Sequence, residues 1–162
     1  MGDKQITLKI VVGAAIFKDS KILIIKRSNK EALFPGKWEL PSGKRKPLED
    51  LSKALEREVF EEVGLKIRPI VPFSTFNYQP EKEGVIKDYI EIDFLAEIIS
   101  SDIPTLSWEH TDYAWISERD LSEYEMSNAI RQVISEAFRI AKILNIIMRD
   151  GTSRALEGLK EA

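Results

Sequence analysis

Apolar residues recur along the chain in two periods, one of strands and one of helices. Residues Ile6–Phe17 are rich in Ile, Val and Ala, and after the polar turn Lys18-Asp19-Ser20 the segment Lys21–Arg27 holds the continuous run Ile22-Leu23-Ile24-Ile25. Two strands joined by a tight turn are expected, at least one of them buried on both faces. Residues 28–48 contain Pro35, Gly36, Pro41, Gly43 and Pro47, the punctuation of a loop around a short extended piece, Trp38-Glu39-Leu40. The spacing predicts a helix from Glu49 to Val63, closed by Gly64 at its C′ position. Strands are predicted over Arg68–Tyr78 and Val85–Ile99, separated by the polar turn Glu81-Lys82-Glu83-Gly84, with a short strand at Tyr113–Ile116. Ser117-Glu118-Arg119-Asp120 has the residue types of a helix N-terminus, and a long helix is expected over residues 127–148. Strands, helix, strands, helix: this order predicts an α/β fold with a mixed β-sheet between helices.

The length of 162 residues and the lack of repeats or linkers lead us to expect one domain over residues 1–162. Cysteine is absent, which excludes disulfides, thiolate nucleophiles and Cys-ligated metals, and the single histidine, His110, excludes a multi-histidine site. A net charge of -3 argues against a nucleic acid polymer as partner. No stretch reaches the roughly 18 apolar residues that span a bilayer. The N-terminus lacks a signal-peptide pattern, so no membrane partner and a cytoplasmic location are expected.

The predicted helix breaks its own pattern. Leu51, Leu55, Val59 and Val63 lie four apart and should face the core. At about 100° per residue, Glu58, Glu61 and Glu62 fall on an arc bordering and partly overlapping that stripe. Like charges at these spacings repel, more so near the core edge. Magnesium, a hard cation that takes oxygen ligands, suits such a cluster better than calcium or zinc. A solvated acidic face is the alternative that the helix alone leaves open. The preceding Pro41-Ser42-Gly43-Lys44, followed by Arg45 and Lys46, favours the metal: acids beside bases suit metal-assisted phosphoryl chemistry.

Gly43, five residues, Glu49, seven residues, then Arg57-Glu58-Val59-Phe60-Glu61-Glu62-Val63-Gly64-Leu65 matches the Nudix box at every fixed and aliphatic position. The chain therefore resembles the Nudix hydrolase family, and the flanking Lys37-Trp38-Glu39-Leu40-Pro41 and Glu109-His110…Trp115 look like it too. The resemblance implies an α/β/α sandwich and hydrolysis of nucleoside diphosphates linked to another moiety, with Mg²⁺ or Mn²⁺. It further implies Glu58, Glu61 and Glu62 as metal ligands with a backbone carbonyl at Ser42 or Gly43. Arg57 would orient an acid of the box, with Glu49 and Glu61 as candidates. The general base would be a glutamate of the box, such as Glu61, or Glu109 outside it.

Other residues carry less. Arg27 and Lys44 are candidates for binding substrate phosphate, Arg27 with a strand-end salt bridge as its alternative. His110 reads more readily as a structural residue than a catalytic one, and one or two of Phe34, Trp38, Phe76 and Tyr78 could stack on a base. Ser42 and Leu48 stand where many family members have glycine, which bears on loop conformation. Pro80, fifteen positions past Leu65, has the spacing of ADP-ribose hydrolases. The short chain and the Glu109-His110…Trp115 segment look more like the nucleoside-triphosphate branch, giving monophosphate and pyrophosphate. A non-catalytic nucleotide sensor or interaction module is the alternative of another class, which the intact set of box glutamates disfavours. Ile130, Val133, Ile134, Ala137, Phe138, Ala141, Leu144 and Met148 form a helical stripe that Ile140, Ile143, Ile146 and Ile147 widen, and a homodimer through this helix is expected. Asp150–Ala162 reads equally as a short helix or a loose tail.

Overall fold

The computed structural model describes residues 5–144 except 32, 83 and 102. The first strand, β1 (Gln5–Lys18), turns through Asp19 and Ser20, both at positive φ, into β2 (Lys21–Arg27). That turn suits a twisted hairpin, yet the two strands pair only at Phe17↔Ile22 and Lys18↔Lys21. Beyond these pairs they part. β1 runs parallel to β7 (Val85–Ile98) from Gln5↔Val85 to Phe17↔Glu97, while β2 pairs antiparallel with β8 (His110–Ile116). Two short strands from the Pro- and Gly-rich segment occupy the edges this divergence frees. β3 (Trp38–Glu39) pairs with β2, and β4 (Ser42–Lys44) pairs with β1 through Val11↔Lys44, Val12↔Gly43 and Gly13↔Ser42. Ser42–Lys44 is thus strand where loop was expected, because the backbone groups of β1 left by β2 require partners.

β5 (Ile67–Tyr78) forms the edge beyond β7, with register shifts beside Pro69 and Pro72, residues that suit an edge strand. β6 (Glu81–Lys82) extends the same hairpin where a turn was predicted. β8 begins three residues earlier than expected, since His110 already pairs with Arg27.

Strand alternation divides the core in two. Val12, Ala14, Ile16, Leu23 and Ile25 pack on α1 (Leu51–Val63), whereas Ala15, Phe17, Ile22 and Ile24 pack on α2 (Asn128–Ile143). The period-two pattern thus places a mixed sheet between two helices, as expected. α1 starts two residues later than predicted because the Asp50 carboxylate accepts from the Ser52 and Lys53 amides as N-cap. Gly64, at φ 68°, ends the helix, its N–H donating to the Phe60 carbonyl. Residues 118–123 form a 3-10 helix, its start fixed by the Asp120 carboxylate accepting from the Ser117 amide and hydroxyl at 2.8 Å.

Ser127 caps α2, whose Val133, Ile134, Ala137, Phe138 and Ala141 are buried. Ile130, Ile140 and Leu144 pack partly on the same core, leaving Ile143 as the exposed apolar residue of the helix. One sheet face and its surroundings therefore take up most of the wide stripe, weakening the argument from it for a second copy. Ile146, Ile147, Met148 and Asp150–Ala162 lie outside the described residues.

Two features of the fold run against local stability. Leu48 adopts φ 63° while 98% exposed, a backbone region that costs a β-carbon-bearing residue roughly 1–2 kcal/mol. Glycine there relieves the strain but gains freedom in the unfolded chain. We expect Leu48→Gly to stabilise by about 0.5–1 kcal/mol, read from denaturant unfolding.

The second feature is an acid pair on β7. Glu91 and Asp93 are buried on the face turned toward α2, and burial pushes both carboxyls above their ordinary range. An acid raised in this way favours the fold when protonated, and that stability is lost as pH climbs from the ordinary aspartate value of about 3.9 through the raised one. Asp93→Asn, which removes the charge and can donate to Glu91, should raise the melting midpoint, by more at pH 8 than at pH 5. An equal or opposite shift at the two pH values would refute this account.

Candidate active site

The segment joining β4 to α1 and the exposed edge of α1 are held together by one side chain. Arg57 Nε and Nη2 donate to the two Glu49 oxygens at 2.8 and 2.9 Å, and Nη2 also donates to the Lys44 carbonyl at 3.0 Å. Its Nη1 donates to Glu58 at 2.7 Å and to Glu61 at 3.3 Å. A guanidinium has five N–H donors, and these bonds use all of them. Both acids that the sequence offered as partners, Glu49 and Glu61, are engaged. The Glu49 carboxyl is held at about 2 by Arg57, with help from the Lys46 amide, and Arg57 itself is raised by Glu49.

The three box glutamates sit in different surroundings, as their helical positions dictate. Glu62 is buried, and its carboxylate accepts from the Ser42 amide at 2.9 Å. Burial pushes its pKa well up, and the negative charges of Glu39, Glu58 and Glu109 add to the shift. Glu58, half-buried, is raised by desolvation against the pull of Arg57. Its carboxylate lies over Gly43: a Cβ on that glycine would stand 2.0 Å from Glu58 Oε2. Glu61 is 54% exposed and turned toward Arg57.

Beneath them lies a layer the sequence reading passed over. Glu39 accepts from Arg27 at 2.7 Å and lies 3.4 Å from His110 Nε2, and Glu62 lies 3.9 Å from the same nitrogen. The His110 side chain is fully buried, with Ser107 Oγ 3.4 Å from Nδ1. Arg27 also donates to Glu31 and to the Leu33 carbonyl, so its donors serve protein partners, the salt-bridge alternative weighed above. Neither Glu39 nor the Glu91/Asp93 pair was picked out. The available signal was charge at strand positions: Glu39 inside Trp38-Glu39-Leu40, and acids alternating with Ile90, Ile92 and Phe94.

A pocket of about 510 Å³ opens over this ground, a size suited to a small organic ligand. Glu58, Glu62, Glu109, Ser42, Gly43 and Lys44 line it together with Arg27, Phe34, Trp38, Phe76 and Tyr78. The structure thus gathers most of the predicted site residues around one cavity, with Glu61 and Arg57 outside the lining. Of the aromatics, Trp38 packs edge-on against Tyr124 at 5.0 Å, and Tyr78 stacks on Tyr89 at 4.8 Å.

The donor set fits a hard divalent cation in kind. Glu58, Glu62 and Glu109 present carboxylate oxygen beside the Ser42–Gly43 backbone, and the charge at Glu62 is balanced by few protein donors. Among the described residues, no three acids converge as a ready ion site. Arg57 draws Glu58 and Glu61 to one side while the Ser42 amide holds Glu62.

Comparison with known proteins identifies the family. The family model of the NUDIX domain matches residues 7–137. Nucleoside triphosphatase NudI of Escherichia coli O81 is 30% identical over 135 residues, covering 78% of this chain and 94% of that protein. The NudI of Escherichia fergusonii is 29% identical over 134 residues, with the same coverage. Among solved structures, the MutT protein of Methanosarcina mazei Go1 superimposes with a TM-score of 0.70 at 28% identity, covering 88% of this chain and 99% of that one. With the box intact, its Glu58 and Glu62 lining one cavity and the match running from the first strand into α2, this chain belongs to the Nudix family of hydrolases.

Proposed function

We propose that the protein hydrolyses nucleoside triphosphates to monophosphate and pyrophosphate, with Mg²⁺ as its metal and Mn²⁺ as a substitute. The observation that carries this reading is the placing of Glu58 and Glu62 beside the Ser42–Gly43 backbone, in a pocket that also holds Lys44, Glu109 and an aromatic wall. The likeness to NudI, a nucleoside triphosphatase, supports the choice of substrate.

Glu58 and Glu62 would hold the ion with the Ser42 carbonyl, and Glu61 would join them from the rim. When bound, the ion neutralises charge on the phosphate chain and acidifies the attacking water. Lys44, at the pocket lining, offers a positive charge to a phosphate oxygen. Arg57 acts as a positioning residue: it fixes Glu58 and the loop without facing the pocket. Glu109 lies outside the Arg57 network yet faces the pocket, so it is placed to take the proton of the attacking water.

Activity on a panel of nucleoside triphosphates, ADP-ribose included, tests the reading. We expect Mg²⁺-dependent pyrophosphate release from triphosphates, with Glu109→Gln lowering kcat by roughly 10²–10⁴-fold at little changed KM. Glu62→Gln should raise the Mg²⁺ concentration needed for half-maximal rate by at least about tenfold. A wild type that releases no pyrophosphate from any triphosphate removes the proposal, and preferential cleavage of ADP-ribose moves the substrate to the nucleotide-sugar class.

Gly43 offers a separate check. Its close approach to Glu58 leaves no room for a methyl group, so Gly43→Ala should displace that carboxylate. Activity at limiting Mg²⁺ should fall by at least about tenfold while the melting midpoint changes little. Retained activity would show that Glu58 need not stand where this structure puts it.

A further inference from the structure

The pocket reaches Glu91, one of a second pair of acids for which phosphate chemistry has no use. Glu91 and Asp93 stand two residues apart on one face of β7, 4% and 0% exposed. Gly13, paired with Asp93 across the parallel ladder, makes the room they occupy. A Cβ there would lie 2.2 Å from Asp93 Oδ1 and 3.3 Å from Glu91 Oε1, so both carboxyls lean over the same glycine. The Tyr78 hydroxyl donates to Glu91, and Tyr78 is itself steadied by its stack on Tyr89. Neither oxygen of Asp93 has a hydrogen-bond partner among the described residues.

Four carboxyl oxygens therefore share one side-chain hydroxyl, in a protein interior where polar atoms almost always find partners. Glu91 lines the pocket in company with Phe76, Tyr78 and Tyr89, and Asp93 shares with it the space over Gly13. Burial holds these carboxyls toward their neutral forms, so the pair keeps a proton that one can give the other, and the seat still offers more acceptor atoms than donors. Phosphate, itself an acceptor, is repelled from it. A ligand group that brings N–H donors on a flat apolar body suits both the acids and the rings.

We propose that Glu91, positioned by Asp93, reads the nucleobase and selects nucleotides whose base carries an exocyclic amino group. The inference rests on the nucleotide reading above and names the substrate class within it. An amino group such as that of cytosine or guanine donates to the Glu91 carboxyl. Uracil instead presents a carbonyl where cytosine has its amino group, setting lone pair against lone pair, and hypoxanthine lacks the 2-amino group of guanine altogether. A hydrogen bond to the Glu91 carboxyl, which burial holds toward its neutral form, is worth about two- to tenfold in affinity.

Calorimetry with monophosphates tests this without turnover, comparing CMP with UMP and GMP with IMP on the intact chain. The wild type should prefer the amino member of each pair by about two- to tenfold. Glu91→Gln, whose amide can donate to a carbonyl, should bring the CMP/UMP ratio close to one by weakening CMP and strengthening UMP. Asp93→Asn provides a second variant, expected to lower the same ratio with the fold intact by melting midpoint. A wild type without preference, or variants that weaken CMP and UMP equally, would overturn the inference. The kcat/KM values for CTP and UTP separate it from the hydrolytic reading. Cleavage of both without preference sinks base selection and leaves hydrolysis standing. Preference for CMP without cleavage of any triphosphate does the reverse.

Discussion

Crowded negative charge is the constraint around which this molecule is built. Glu39, Glu58 and Glu109 all press their negative charge on Glu62 at one end of the pocket, and burial makes the ionised Glu62 carboxylate harder to keep. Arg57 answers part of that charge, with all five of its donors joining Glu49, Glu58, Glu61 and the Lys44 carbonyl. The bidentate grip on Glu49 fixes the approach of the loop to the helix. The contact with Glu58 sets the carboxylate over Gly43, where no larger residue fits. What Arg57 leaves unbalanced, at Glu62 above all, is what a cation would satisfy.

The backbone makes room for this cluster through the early parting of β1 and β2. Two pairs at the hairpin end hold the strands together, after which each takes a new neighbour on the side facing the other. The short strands that fill the opening bring Glu39 on one side and Ser42 and Gly43 on the other. Because β1 pairs with β7 along nearly its whole length, the floor of the pocket is a continuous ladder, while Glu31, Leu33 and Phe34 line it from the loop after β2. Such a division suits a site that must hold charged groups in place yet admit a ligand.

Stability is given up where chemistry gains. Glu62, Glu91 and Asp93 occupy positions where apolar side chains would pack at no electrostatic cost, and Asp93 lacks even a hydrogen bond among the described residues. Local rules tend to fail at functional sites, and Glu62 and Glu91 line the same cavity, with Asp93 beside Glu91 over Gly13. Leu48 is different: its strained backbone lies on the surface, in the turn that leads Glu49 toward Arg57, where family members often use glycine.

Much of this was written in local pattern. The period-two runs of β1 and β2 named the strands and the faces they bury, and the four-residue spacing of Leu51, Leu55, Val59 and Val63 placed α1 with its acids along one edge. The fixed letters from Gly43 to Leu65 carried the family resemblance, which the family model over residues 7–137 bears out. Tertiary structure decided the rest. Whether Ser42–Lys44 is loop or strand depends on β2 leaving β1, an event that no property of those three residues encodes. That Glu39 meets Arg27 and His110, and that Glu91 and Asp93 share the space above Gly13, depends on contacts between residues 12 to 80 apart. Periodicity reports which face of an element is buried; it carries no information about which other segment lies against that face, and buried charge acquires its meaning only from that neighbour.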